Sequence, residues 1–192
     1  MPAMKIDIKT GLLDTALIRL SPNCDYRPDR AGIDLIVIHS ISLPPGDFGG
    51  PWIDDLFANK LDPTVHPYFQ KIAGLRLSTH LLIRRNGAIV QYVPFYLRAW
   101  HSGESSYAGC SCCNDFSVGI ELEGTDHLPY DNRQYIQLSA VVSALRIAYP
   151  DILPDRLTGH SEIAPGRKTD PGPAFNWNRL RELLGYSKTA DG

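Results

Sequence analysis

Residues 158–173 read Thr-Gly-His-Ser-Glu-Ile-Ala-Pro-Gly-Arg-Lys-Thr-Asp-Pro-Gly-Pro. Gly and Pro at this density argue against a helix or a strand, so the stretch is read as one long ordered loop. It carries an imidazole at His160, an ammonium at Lys168 and a carboxylate at Asp170. Imidazole and carboxylate are both zinc donors, and an ammonium can meet a developing oxyanion. Far upstream a second imidazole, His39, closes the apolar run from Ile33 to Ile38. That run is rich in β-branched residues and predicts a buried strand, with His39 at the end where α/β sheets place ligands. Two imidazoles and one carboxylate leave a fourth zinc position open for water. Spacing alone does not select these three groups, and His39 taken singly reads as well as a hydrogen-bonded core histidine.

The rest of the chain builds outward from this pair of segments. Ser78 to Arg85 and Ala88 to Val93 are apolar, β-prone runs on either side of Asn86-Gly87, which predicts a hairpin with a two-residue type I′ turn. His80 in its first strand and His66 in a loop are read as structural. Phe116 to Glu123 alternates, with Phe116, Val118, Ile120 and Leu122 on one face and Ser117, Gly119, Glu121 and Glu123 on the other. Gly119 is expected to clear space beside Glu121, although alternation by itself also fits a solvated strand face. Asp131 to Tyr149 predicts the longest helix, with Asp131 as N-cap and a stripe of Ile136, Ala140, Val141, Ala144, Leu145 and Ala148. Pro51 opens a short helix through Phe57, and Trp177 to Leu184 a last one, capped by Asn176 and stopped by Gly185. Residues 1–31 give only a weak amphipathic pattern followed by loop, and the tail from 186 to 192 is expected to fray. With no repeat and no linker, residues 1–192 are read as one domain of mixed α/β class, a central mixed sheet flanked by helices.

Several long and unusual strings carry a resemblance. They are Ile-Ser-Leu-Pro-Pro-Gly (41–46), Phe-Gly-Gly-Pro-Trp-Ile-Asp (48–54), Gly-Ile-Glu-Leu-Glu-Gly-Thr-Asp (119–126) and the loop quoted above. With segments 21–28, 37–55, 66–69, 78–101, 113–126 and 158–175, the chain resembles the zinc-dependent N-acetylmuramoyl-L-alanine amidases of the phage-lysozyme-like, peptidoglycan-recognition fold. Within them it is similar to the cytoplasmic branch that acts on 1,6-anhydro-muramoyl peptides. The resemblance implies one zinc ion on His39, His160 and Asp170, with Glu121 as catalytic base and Lys168 beside the oxyanion. It implies cleavage of the amide between the muramoyl lactyl group and L-alanine, in cell-wall recycling, with an indirect influence on an inducible β-lactamase. Arg76 and Arg167 are candidates for the peptide's carboxylates, and Trp100 for a substrate platform; surface ion pairs and a core anchor are the alternatives. His101 is not assigned to the metal. Ser40 departs from the Asn common after the first metal His, and Cys110-Ser111-Cys112 from a more charged stretch.

Composition narrows the field from the other side. The chain has 192 residues, 43% hydrophobic and 21% charged, which is ordinary for a globular domain. A net charge of −2 without basic tracts speaks against nucleic acid as partner. No apolar run reaches the ~18 residues of a membrane span. Residues 1–11 lack the apolar core of a signal peptide, so the expectation is a cytoplasmic protein with reduced cysteines and a small soluble muropeptide as partner, working as a monomer. Cys110, Cys112 and Cys113 are read as incidental thiols. Two rivals remain: a peptidoglycan-binding module of the same fold without catalysis, and an interaction protein regulated by zinc on the cysteine cluster.

Overall fold

A computed structural model describes residues 3–29 and 31–186. Its centre is a six-stranded sheet of β1 (Leu17–Ile18), β2 (Leu35–Ile41), β3 (Leu81–Ile83), β4 (Ile89–Gln91), β5 (Ser117–Glu123) and β6 (Leu157–Gly159), in the order β6-β2-β5-β3-β4-β1. The sheet is mixed: β6, β2, β5 and β3 run parallel, β3 and β4 are antiparallel, and β1 joins β4 in parallel. Three two-stranded ribbons lie outside it, pairing Ile6–Asp7 with Leu12–Leu13, Cys24–Tyr26 with Leu97–Ala99, and Ser106–Tyr107 with Cys110–Ser111. Residues 3–29 therefore carry four short strands joined by turns, where the pattern predicts a weak amphipathic segment and loop. The end of the chain beyond Tyr186, where fraying is expected, lies outside the described residues.

Helices α1 (Trp52–Phe57), α2 (Phe69–Ile72), α3 (Asn132–Ala148), α4 (His160–Ile163) and α5 (Trp177–Leu183) cover the sheet. α3 and α5 pack on one face, where Tyr135, Leu138, Val142, Leu145 and Leu180 meet Ile36, Ile38, Ile83, Val118 and Ile120. Each such large apolar side chain contributes ~1.5–3 kcal/mol by leaving water. Asp131 caps α3 with a full capping box, Gln134 reaching back to the Asp131 backbone. The buried stripe of α3 is rotated from the expected one: Tyr135, Leu138 and Val142 are buried, whereas Ile136 and Ala140 are only half-covered. The buried face also takes in Gln134, whose side-chain amide donates to the Ile83 and Glu123 carbonyls at 3.1 and 3.0 Å and so fixes the helix's rotation on the sheet.

The opposite face is covered in two pieces. α1 and α2 bring Ile53, Leu56, Phe57 and Phe69 against Leu82, Val90 and Tyr92. At the other end Cys113 and Ile163 pack on Leu35 and Val37. Between these pieces the sheet face stays open, and the parallel register of β2 and β5 sets His39 beside Glu121 and Val37 beside Gly119 there.

Two local expectations change. The β3–β4 connection is not a type I′ turn: among the described residues only Asn59, Ala108 and Cys112 have positive φ apart from glycines, so Asn86 keeps negative φ while Gly87 adopts +86°. Gly87 N–H donates to Arg84 O at 2.8 Å and Asn86 Oδ1 accepts from Ala88 N–H at 2.9 Å, a type I turn with a glycine bulge. Residues 158–173 are not loop throughout. They begin in β6 and make one helical turn in α4, because Glu162 reaches back to Gly159 N–H and Gly and Pro crowd only after Ala164.

Candidate active site

His39 comes from β2, His160 opens α4 straight after β6, and Asp170 returns from the loop beyond it. Their donor atoms converge: His39 Nδ1 lies 2.9 Å from His160 Nδ1 and 3.2 Å from Asp170 Oδ2, and His160 Nδ1 lies 3.1 Å from the same oxygen. Both imidazoles are buried and Asp170 is partly exposed. Among the described residues this is the one group of three or more His, Cys, Asp or Glu placed to share an ion. None of the cysteines belongs to it; Cys110 and Cys112 are exposed and Cys113 is buried.

The outward nitrogens say what the inward ones are. His160 Nε2 faces the Ser102 carbonyl at 3.0 Å, and a carbonyl only accepts, so that nitrogen carries the proton. His39 Nε2 lies 2.9 Å from His101 Nδ1. Burial holds His39 down at about 4, so its ring is neutral near pH 7. Asp170 is ionised: burial works to raise it, and the contacts with His160 and His39 outweigh burial. Two imidazole lone pairs and a carboxylate oxygen facing one another at about 3 Å form a donor set that suits a divalent cation.

Beside this cluster opens a cavity of about 570 Å³. Glu121 and Lys168 line it together with His39, His160 and Asp170. Glu121 Oε2 is buried with no hydrogen-bond partner. Burial first, and the Asp170 charge second, push its carboxyl well above the ordinary 4.5, with Lys168 opposing. Leu43, Leu56, Tyr68 and Leu77 make one wall of the cavity, and Thr125, Asp126 and His127 supply polar groups on its rim.

Five of the eight residues expected at the site are thus brought together, and three are placed elsewhere. Arg167 turns Nη2 of its guanidinium onto the Ser102 carbonyl, at 2.6 Å, and the Glu104 carbonyl, so it ties down a loop and does not line the cavity. Trp100 is half-buried outside the cavity lining, and its indole helps hold the Asp25 carboxyl low, after Arg98. Arg76 is exposed, and its neighbours Leu75 and Leu77, not Arg76 itself, line the cavity. His80 is structural as expected: it is fully buried, with Nδ1 accepting from Gly119 N–H at 3.0 Å. Sequence reasoning missed His101 and Asn114, whose Oδ1 accepts from the His101 and Ser102 backbone N–H groups at 3.1 and 2.9 Å. Gly119 clears space for His101 and not for Glu121, since a Cβ there would stand 2.5 Å from His101 Cγ.

Residues 28–173 match the family described as N-acetylmuramoyl-L-alanine amidase. The chain belongs to that family. The amidase is 60% identical over 169 residues to the 1,6-anhydro-N-acetylmuramyl-L-alanine amidase AmpD of Escherichia coli K12, covering 88% of this chain and 92% of that one. It is 50% identical over 173 residues to AmpD of Haemophilus influenzae, covering 90% and 94%. A selenomethionine AmpD crystal structure superposes on the amidase with a TM-score of 0.91 at 58% identity, covering 94% of this chain and 99% of the other. A complex of Escherichia coli AmiD with anhydro-N-acetylmuramic acid-L-Ala-D-γ-Glu-L-Lys superposes with a TM-score of 0.57 at 28% identity, covering 82% and 60%. No helix among the described residues is long and apolar enough to cross a membrane.

Proposed function

We propose that this amidase is zinc-dependent and hydrolyses the amide between the lactyl group of 1,6-anhydro-N-acetylmuramic acid and L-alanine in soluble muropeptides. It would do so as a single-domain monomer in the cytoplasm, during cell-wall recycling. The observation that carries the reading is an unpaired, buried carboxylate oxygen on Glu121 beside three converging lone-pair donors. The similarity to AmpD supports the choice of an anhydro-muramoyl substrate.

His39, His160 and Asp170 would hold the zinc ion. A zinc ion held there would supply Lewis-acid chemistry, polarising the scissile carbonyl and acidifying water. Glu121 takes the proton from the attacking water, and burial pushes its carboxyl upward, the direction that strengthens a base. The same carboxyl then hands that proton to the leaving amine of L-alanine. Lys168, on the cavity wall, places its ammonium against the negative charge that grows on the carbonyl oxygen. The apolar wall of Leu43, Leu56 and Leu77 keeps bulk water off one side of the bond. A pure binding module has no use for a buried carboxylate without a partner, so the catalytic reading is preferred. Any influence on an inducible β-lactamase would follow from the muropeptides that the reaction removes.

The test is a digest of an anhydro-muramoyl tripeptide and of intact cell wall, followed by mass spectrometry, with native, metal-stripped and zinc-restored protein. Rapid release of the tripeptide from the small substrate, lost on stripping and regained with zinc, is the expected result. Undiminished turnover without metal would end the zinc reading. Equal rates on both substrates would end the assignment to soluble muropeptides.

A further inference from the structure

We propose that His101 is a positioning residue for His39: backed by Ser117 and the Cys113 carbonyl, it fixes the imidazole tautomer that turns the His39 Nδ1 lone pair toward the metal. This rests on His39, His160 and Asp170 being the zinc ligands.

The direction of the chain follows from its far end. The Cys113 carbonyl can only accept a hydrogen bond. Ser117 Oγ lies against it and has one proton, which it gives there. The same Oγ lies 3.1 Å from His101 Nε2, so it accepts from that nitrogen. The two ring nitrogens of His101 meet only Ser117 Oγ and His39 Nε2, and among the described residues no carboxylate pairs with the ring as a counter-ion, so with its proton on Nε2 the ring presents a lone pair at Nδ1. His39 Nε2, 2.9 Å away, must then be the donor, and the remaining nitrogen of His39 faces inward without a proton. Each step removes one of two possible tautomers, and the backbone carbonyl sets the choice for all. Metal-bound imidazoles commonly have such an outer acceptor, which orients the ring and raises its basicity.

The surroundings are built for this ring. Ser117 is fully buried and His39 nearly so. The His39 and His101 rings meet edge to face, with centroids 5.0 Å apart at 86°. Gly119 on the neighbouring strand is bare where the ring lies. Asn114 holds the His101 backbone in place. His160 reaches its own carbonyl acceptor, Ser102, in one step, and Ser102 is the next residue in the chain. One segment, residues 101–117, thus sets the tautomer of both imidazoles.

Zinc affinity, measured by chelator competition on full-length protein, tests the relay in wild type, His101→Phe, His101→Asn and Ser117→Ala. Thermal unfolding of each metal-free protein serves as the folding control. Phe keeps the ring volume without an acceptor; Asn loses volume but puts an acceptor oxygen near the place of Nδ1. Affinity should fall by roughly 10–100-fold in His101→Phe and Ser117→Ala. It should recover to within a few-fold of wild type in His101→Asn. A packing role alone gives the reverse order, Phe better than Asn and Ser117→Ala unchanged, and overturns the proposal. If His101→Phe does not fold, Ser117→Ala decides together with nitrogen NMR of the zinc-loaded wild type. There His101 should be protonated on Nε2; a proton on Nδ1 overturns the relay. A wild type that binds no zinc refutes the ligand assignment, whereas wild-type binding with undisturbed variants refutes only the relay.

Discussion

Two cavities of nearly equal size open along β5, one holding Glu121 and the other, about 550 Å³, holding Glu123. The two carboxylates are the same residue type, two positions apart on one strand. Glu123 is fully partnered: Oε1 accepts from Gly49 N–H at 2.7 Å and Arg84 at 3.0 Å, and Oε2 from Arg85 N–H at 3.0 Å. Arg84 continues to Asp54, which also meets Arg19 and the Tyr92 hydroxyl. Arg19, Arg84, Asp54 and Glu123 thus neutralise one another, and Arg85 turns its guanidinium to the Pro129 carbonyl at 2.9 Å. Glu121 has an oxygen with no partner and a carboxyl pushed upward by burial. Cavity size does not choose the reactive site; an unpartnered carboxylate oxygen in a cavity beside converging His and Asp donors does, since leaving such a group buried costs free energy.

The contrast is sharpest in Glu121→Gln. Shape is kept and the proton acceptor is lost, so kcat should fall by ~10²–10⁴ at unchanged zinc content. The acidic limb of the pH profile should go with it, because activity rises as pH climbs through the raised pKa of the base. Near-normal kcat with full metal would make the two glutamates equivalent in kind. Lys168→Ala should cost somewhat less, ~10²–10³ in kcat, with zinc again retained. A loss that appears only in KM would move Lys168 from the reacting centre to the rim.

Glu123→Gln should behave in the opposite way. Breaking a buried ion pair on one side costs roughly 3–5 kcal/mol, so the thermal midpoint should drop by several degrees while kcat stays within a few-fold. A catalytic loss without a stability loss would make Glu123 a reacting group like Glu121. The smallest effect concerns acid. In metal-free protein His39 and His80 are depressed by burial to about 4 and about 3 from an ordinary 6.5. Their contribution is complete above pH 6.5 and fades as pH falls toward those values, because the unfolded chain takes up protons first. Denaturant midpoints should therefore decline steadily from pH 6.5 to pH 4, and a flat profile would place charged imidazoles in the folded state.

The paired strands at the heart of the site were legible because burial leaves a mark on composition. The β-branched run before His39 and the alternation around Glu121 both sit where they were expected, and register then sets one beside the other. Long unusual strings carried the family. What the sequence concealed is settled by tertiary partners. Arg167 and Trp100 look like ligands for a substrate, but tertiary partners draw them outside the cavity lining: Arg167 Nη2 to the Ser102 carbonyl and Trp100 to Asp25. The α3 stripe is off because a search for apolar positions passes over Gln134, a polar residue on the buried face that bonds carbonyls of the sheet. Asn86-Gly87 misleads because the Asn side chain caps the turn locally, so only Gly needs positive φ. His101 gave no periodic signal at all, being a single residue in a Ser- and Gly-rich loop.

The bare face of Gly119 has a consequence for how this chain can vary. Even the smallest step, to alanine, would drive a methyl group to 2.5 Å from the His101 ring. The two positions are therefore not free to drift one at a time: a side chain at 119 becomes tolerable only after position 101 has given up its ring. Any lineage that crossed between the two states had to pass through a chain lacking the imidazole. In a double-substitution experiment the second change should be far less harmful than it is alone, the mark of two sites that evolve as a unit.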